Sequence, residues 1–144
     1  MTDQAPETKI EATQAGLLRR LGAMLYDGLL LLAIFFATGF IWVIPTGQAA
    51  SGPLFQLILL LEIVLFYGYC WYRTGETLGM RAWRLRLVND QGLPASLKQI
   101  GVRLLVAPIS MGCFGLGYLW IYVSPSGKTW HDHLSQTLVA HLPR

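Results

Sequence analysis

Two stretches of this chain are long and apolar enough to cross a lipid bilayer, and each contains a single carboxylate. A membrane-spanning helix needs about 20 mainly apolar residues at a rise of about 1.5 Å each. Residues 21–44 meet that length with Asp27 as their only charge, and residues 54–72 meet it with Glu62 as theirs. Because only a short uncharged turn, "PTGQAASGP", separates the two stretches, we expect two antiparallel transmembrane helices.

The composition is typical of a membrane protein. Hydrophobic residues make up 53% of the chain and charged residues 13%, well below the roughly 25% charged of an average soluble domain. The formal net charge of +3 is small for a nucleic-acid-binding protein, so no nucleic-acid partner is expected. Cys70 and Cys113 lie in apolar stretches, where we interpret them as small buried side chains rather than a disulfide. Residues 1–15 are polar and predict a disordered tail ahead of a membrane domain at 16–142.

The distribution of arginine predicts the orientation of the helices. The flank before the first helix holds Arg19 and Arg20, and the helix connection holds no charge. The segment after the second helix holds four more: Arg73, Arg81, Arg84 and Arg86. Since positively charged loops stay in the cytoplasm, we expect the N-terminus and the segment after residue 72 to be cytoplasmic.

That cytoplasmic segment predicts a small β element. Gly75 and Gly79 interrupt it, and "RLRLVNDQG" alternates with a period of two before a turn. We predict a strand over residues 84–89, with Leu85 and Leu87 facing inward and the arginines facing lipid headgroups or solvent.

The third apolar stretch, residues 104–123, allows two interpretations. It is long enough to span the membrane, yet Pro108 and "SMGCFGLG" are typical of a broken helix or a re-entrant hairpin. A spanning helix would place the C-terminal segment outside, whereas a broken one would return it to the cytoplasm. In the second case "TLVAHL" would pair with "RLRLVN".

Charges inside a membrane are costly, at about 2.5–3.5 kcal/mol at a helix centre, and usually mark a functional site. Arg20 and Asp27 are seven residues apart, so they share one helix face about 10 Å apart and are not expected to touch. Arg20 is either a topology anchor or a functional residue. Asp27 is either a structural hydrogen-bond acceptor or a functional carboxylate. Glu62 is either a proton carrier or, as we prefer, a protonated side chain that forms an interhelical hydrogen bond and has no role in activity.

Arg103 and the "WHDH" motif complete the set of candidate residues. Arg103 opens the third stretch, where it either snorkels to the interface or joins a site. His131 and His133 flank Asp132, and on an extended segment they would face away from it. These ligands are too few for a metal site. The sequence contains no nucleophile or phosphate-loop motif, so neither enzymatic activity, a metal nor a cofactor is expected.

The chain resembles the RDD family of small bacterial multi-pass membrane proteins. The resemblance rests on "RRLGAMLYDGLLLL", "TGETLGMRAWRLRLVNDQG", "GVRLL" and "GKTWHDHLSQTLVAH", in that order. It implies that the arginine and two aspartates for which the family is named are Arg20, Asp27 and Asp132. It lends no role to Glu62 or to the two histidines. Transport is the activity usually suggested for the family, and cation/proton antiport is attributed to some members.

The resemblance also favours a broken third segment, because a shared site requires Asp132 to approach the inner end of the first helix. A spanning third helix would leave Asp132 roughly 30 Å away. We therefore expect an all-α membrane protein with two transmembrane helices, a broken or re-entrant third segment and a small cytoplasmic β element. It would lie in the bacterial inner membrane with a cytoplasmic N-terminus, in contact with membrane lipids.

Two functions remain open at this stage. The leading hypothesis is a transporter or transporter subunit that exchanges a monovalent cation for a proton through an Arg20–Asp27–Asp132 cluster. Because so few membrane segments would line the transport pathway, a transporting form would be a homo-oligomer or would include a partner membrane subunit. The alternative is a membrane scaffold, or a module that binds lipid or a partner and carries no flux, because an arginine-rich segment attracts anionic headgroups.

Overall fold

The two long apolar helices are present in the computed structural model, which describes residues 13–113 and 115–142. Helix α1 comprises Leu17–Thr46 and α2 comprises Pro53–Arg73. Both are long and apolar enough to cross a membrane. They extend beyond the apolar stretches that predicted them, α1 by six residues and α2 by two. Helix α1 ends at Gly47, whose φ of 63° suits glycine, and α2 begins with a proline at its first turn.

The outward surface of α1 is apolar and its inward stripe is partly polar. Exposed leucines and phenylalanines cover much of the helix, whereas Arg20, Ala23, Asp27 and Leu31 are buried. Their spacing of three or four residues marks one helix face. This distribution is the reverse of a soluble helix and agrees with a membrane protein, whose polar residues face the helix bundle.

The third apolar segment is broken, as the glycines near residue 115 predicted. Helix α4 runs over Leu97–Gly112 and α5 over Leu116–Leu119, followed by a 3₁₀ turn at Trp120–Tyr122. The second part is bent by 103° from the first. Pro108 lies inside α4 and does not end it. Gly117 allows the return, since a Cβ there would overlap the Ser110 side chain.

The predicted strand pairing is confirmed. Strand β2, Leu85–Asn89, pairs antiparallel with β3, Thr137–His141, with Leu87 opposite Val139. Leu85 and Leu87 are buried and Arg86 is partly exposed, as the alternation predicted.

A third strand corrects the boundary of the predicted tail. Strand β1, Thr13–Gln14, pairs with the other edge of β3, and the following Ala15 is buried. Residues 13–15 are therefore part of the folded domain, because they complete the sheet. The rest of the predicted tail, residues 1–12, lies outside the described residues.

Two further expectations are wrong. The "WHDH" motif is not extended: it lies in a short helix, α6, Trp130–Ser135. Cys70 and Cys113 are free but only partly buried, and neither belongs to the hydrophobic core cluster.

The core lies at one end of the long helices, where α1 begins and α2 ends. The sheet and a short helix α3, Leu78–Ala82, pack there against α1, α2 and α4. Its buried members come from every part of the chain: Ala15, Ala23, Trp71, Met80, Leu85, Leu87, Ile100 and Val139. This end of the molecule contains all the candidate residues except Glu62.

Candidate functional site

Asp132 lies between two buried arginines. Arg20 Nη1 donates to Asp132 Oδ2 and Arg103 Nη1 donates to Asp132 Oδ1, both at 2.5 Å. Asp132 is fully buried, and Arg20 and Arg103 are 4% and 5% exposed. The structure thus brings together Arg20 and Asp132, which the family resemblance had grouped, and adds Arg103, which had been a secondary candidate.

The three side chains connect distant parts of the fold. Arg20 also donates from Nε to the Ala15 carbonyl at 3.1 Å, which holds the start of α1 against the end of β1. Arg103 also donates to the Thr137 hydroxyl at 3.1 Å, at the beginning of β3. Asp132 is in the first turn of α6 and accepts a bond from the Thr129 backbone N–H at 3.3 Å. A carboxylate is favoured at that position by the exposed N–H groups of a helix N-terminus.

The electrostatic environment keeps Asp132 ionised. Burial by itself raises the pKa of a carboxyl group, but the guanidiniums of Arg103 and Arg20 outweigh it and hold the pKa of Asp132 below its ordinary value. Its neighbour His131 is kept neutral, because burial, reinforced by Arg103, lowers the pKa of His131 to about 3. The His131 ring is hydrogen-bonded to the Thr129 hydroxyl at 3.0 Å.

Asp27 belongs to a different set of contacts. The Thr77 hydroxyl donates to Asp27 Oδ2 at 2.5 Å and the Gly79 backbone N–H donates to Oδ1 at 2.8 Å. Thr77 is the N-cap of α3, so Asp27 holds the first turn of α3 against α1. The expected Arg20–Asp27–Asp132 cluster is therefore not a contiguous network: Asp27 is hydrogen-bonded to α3, while Arg20 and Asp132 pair with each other.

Glycine at position 79 makes this contact possible. A Cβ there would overlap the Ala23 carbonyl oxygen and would lie 2.9 Å from Asp27 Cγ. In the sequence Gly79 reads only as a break in the chain, and the role of Thr77 was not predicted. The threonine three residues before Met80, just ahead of a short helical turn, is an N-cap signal that could have identified it.

Glu62 lies away from both sets, between the two long helices. The Thr38 hydroxyl of α1 donates to Glu62 Oε1 of α2. An interhelical hydrogen bond of Glu62 is thus present, and its predicted protonation and lack of function stay predictions. In the described residues its other oxygen, Oε2, is buried without a hydrogen-bond partner.

A cavity of about 310 Å³ opens among α1, α2 and α4. Its walls are mainly leucine, isoleucine, valine and methionine side chains. Its polar lining residues are Arg20, Asp27, Tyr67, Trp71, Arg103, Tyr118 and His131. Both sets of contacts thus border one space, although they do not touch each other.

Three lining residues carry buried donors without an acceptor in the described part of the chain. These donors are Arg20 Nη2, Arg103 Nε and Trp71 Nε1. Trp71 is 9% exposed, and the Arg103 guanidinium lies 5.3 Å from its ring centroid. Buried donors are usually satisfied, so the base of this cavity favours an acceptor. No group of three His, Cys, Asp or Glu side chains suited to a metal occurs among residues 13–113 and 115–142.

The model of the RDD family matches residues 14–136, which include both aspartates, both arginines and α3. No curated protein and no solved structure matches the chain.

Proposed function

The chain belongs to the RDD family, and from that premise we propose that it is a membrane-embedded binding module for a ligand with an anionic group. The ligand would occupy the cavity among α1, α2 and α4, with its anionic group beside Arg20 and Arg103. The observation that carries the proposal is the set of three buried donors, on Arg20, Arg103 and Trp71, that have no acceptor among residues 13–113 and 115–142.

The charge at the base of the cavity favours an anion. Arg20 and Arg103 contribute two positive charges, and Asp132 contributes one negative charge between them. A buried charge without a counter-ion is costly, so this group of three is completed by a second negative charge. The same excess opposes the entry of a cation beside the arginines.

The two aspartates have structural partners that account for them. Asp132 accepts bonds from both arginines and from the Thr129 N–H, and its lowered pKa keeps it ionised at neutral pH. Asp27 accepts from Thr77 and Gly79 with its two oxygens. A proton carrier must gain and lose a proton during each cycle, and these contacts favour a fixed state for Asp132.

The alternative function is exchange of a monovalent cation for a proton. Its support is the presence of two carboxylates inside the long helices, since such residues often mark proton or ion pathways. Asp27 borders the cavity, and Glu62 Oε2 has no partner among the described residues. A carrier of this kind would be a homo-oligomer or a subunit of a larger complex, because two long helices and one broken segment are few elements to line a transport pathway.

We also propose that the sheet end of the molecule faces the cytoplasm of a bacterium whose inner membrane holds the protein. Arginines are concentrated at that end of the long helices and in the segment that follows: Arg19, Arg20, Arg73, Arg81, Arg84 and Arg86. The turn between α1 and α2 has no charge. This asymmetry is the one that keeps positive segments in the cytoplasm.

Liposomes containing the purified protein and a trapped pH indicator separate the two functions. Under an imposed sodium or potassium gradient, we expect the same proton flux as in protein-free liposomes, for the natural chain and for Asp27→Asn and Glu62→Gln. In parallel, long-chain carboxylates should raise the melting temperature of the detergent-solubilised protein, whereas their neutral methyl esters should not. In this proposal the protein binds the anionic ligand and does not catalyse a reaction on it.

Cation-dependent proton flux that Asp27→Asn abolishes, in a protein that stays folded, would refute the binding module and establish the exchanger. The same flux lost only in Glu62→Gln would assign the proton to Glu62. Equal shifts of the melting temperature with carboxylates and with their methyl esters would refute the claim that the cavity recognises an anionic group.

A further inference from the structure

We propose that the cavity binds a single-chain lipid with a terminal carboxylate, taken directly from the surrounding bilayer. Its carboxylate would accept hydrogen bonds at the Arg20–Arg103–Trp71 base, and its acyl chain would run outward between α2 and α4. This inference rests on the proposed function and adds the chemical class and the route of the ligand.

The groups at the base that have no hydrogen-bond partner in the described part of the chain are all donors. Arg20 Nη2, Arg103 Nε and Trp71 Nε1 are N–H groups that offer hydrogen bonds and accept none. A carboxylate has two oxygens that accept several such bonds and matches the planar guanidinium group. A neutral alcohol or ester would supply acceptors but would leave the excess positive charge of the two arginines unmatched.

The other charged and titratable groups near the base leave room for this anion. Asp132 is held between the arginines, on the α6 side. Asp27 lies two turns along α1 from Arg20, about 10 Å away along the helix axis, with both oxygens bonded to α3. His131 is neutral because its pKa is lowered to about 3.

The cavity continues from this base into apolar space. Its wall on α4 extends from Arg103 to Met111, eight residues or about 12 Å along the helix. Leu60 and Val64 of α2 form the opposite side. Leu60 and Met111 are 55% and 58% exposed, so the upper part opens on the apolar side of the molecule. A chain leaving there would pass into the hydrocarbon of the bilayer rather than into water.

The size of the cavity favours one chain. One water molecule occupies about 30 Å³ in the liquid, so 310 Å³ is the volume of about ten waters. A carboxylate and the first several methylenes fill that space, and the remaining chain extends outside. A two-chain phospholipid has a branched glycerol backbone that would have to enter the same space, and a small soluble anion would leave the apolar walls without contact.

Binding is measured with radiolabelled palmitate and the full-length protein in lipid nanodiscs, in mildly alkaline buffer that ionises the carboxylate. We expect about one palmitate bound for each protein chain and at least a tenfold weaker interaction with methyl palmitate. Acetate and phosphatidylglycerol should not displace palmitate. Protein-free nanodiscs correct for partition into the lipid.

Two alanine substitutions test the position of the chain without altering the charged residues. Ala107 lines the cavity, so Ala107→Phe should weaken palmitate binding at least tenfold. Ala37 lies exposed on α1 and does not line the cavity, so Ala37→Phe should bind as the natural chain does. Thermal unfolding of both variants checks that they are folded, and Ala107→Leu replaces Ala107→Phe if the larger side chain prevents folding.

The outcomes separate this inference from the proposed function. Displacement by acetate would overturn the lipid assignment but leave an anion-binding module. Displacement by phosphatidylglycerol would overturn the single-chain assignment alone. Unchanged binding in a folded Ala107 variant would place the lipid elsewhere. If neither palmitate nor acetate bound the folded protein, both proposals would be overturned.

Discussion

Arg20 in the first turn of α1 donates at 2.5 Å to Asp132, which lies 112 positions further along the chain. Both side chains are buried, and Arg103 of α4 completes the contact from the other side. The pair therefore joins the start of the first long helix to the C-terminal helix α6. This relationship fixes the sheet and the broken third segment at one end of the long helices.

Replacing Asp132 with asparagine should strongly destabilise the protein. Asparagine keeps the size of the side chain but leaves Arg20 and Arg103 buried without a counter-charge. Breaking a buried ion pair in this way costs about 3–5 kcal/mol. Unfolding in detergent, followed by heat or denaturant, measures the change.

The matched control is Asp90→Asn, which removes the exposed Lys128–Asp90 ion pair. Exposed pairs contribute about 0–1 kcal/mol, so this variant should unfold almost as the natural chain does. Similar losses in the two variants would contradict the structural role assigned to Asp132.

Replacing Arg20 with lysine should destabilise the protein although the charge is kept. Arg20 reaches both the Ala15 carbonyl and Asp132 with different nitrogens of one planar group, and a lysine ammonium does not reproduce that fork. Loss of one hydrogen bond to a charged group costs about 1.5–3 kcal/mol. The neighbouring Arg19 is exposed, so Arg19→Lys should have little effect on the same unfolding measurement.

A methyl group at position 79 should separate α3 from α1. The added Cβ of Gly79→Ala would overlap the Ala23 carbonyl oxygen, so α3 must move and Asp27 loses its bond from the backbone. Overpacking of this kind costs about 1–3 kcal/mol.

Gly28→Ala is the comparison for that variant, because nothing lies within 4 Å of a Cβ at Gly28. In a helix interior alanine is favoured over glycine by up to about 1 kcal/mol. We therefore expect the free energy of unfolding to fall in Gly79→Ala and to rise in Gly28→Ala. A stable Gly79→Ala protein would show that the close approach is not required.

Acid should destabilise the protein in two stages. The pKa of His131 is about 3 in the folded protein and about 6.5 when unfolded. Between about pH 3 and pH 6.5, His131 is therefore protonated in the unfolded chain and neutral in the folded protein. The free energy of unfolding falls as the pH drops below about 6.5. Asp132 has a lowered pKa when folded, so its contribution is complete above the unfolded value of about 3.9 and is lost as the pH falls below it.

His131→Asn should remove the first stage and keep the second. The slope contributed by one such proton is roughly 1 kcal/mol per pH unit, which pH-dependent unfolding in detergent can resolve. His133 is exposed, so His133→Asn should retain both stages. A slope that persists unchanged in His131→Asn would assign the first stage to another group.

Local patterns in the sequence predicted the two long helices and the pairing of β2 with β3, but they missed β1 and α6. The length and hydropathy of residues 21–44 and 54–72 predicted α1 and α2, because the energetic demand of a bilayer is met residue by residue along a helix. The alternation of residues 84–89 predicted β2, since a strand buries every second side chain. The glycines of the third segment predicted its break, whereas Pro108 lies inside α4.

The partners of the buried charges were decided only by the tertiary structure. Asp27 and Arg20 share a helix face, which suggested one site, yet Asp27 bonds to Thr77 and Gly79, 50 and 52 positions away. Arg103 was ambiguous because a snorkelling and a paired arginine look alike in sequence. Hydrogen-bond partners depend on which helix faces pack together and how closely the backbones approach. That information arises from the packing of the whole chain, which no local periodicity contains.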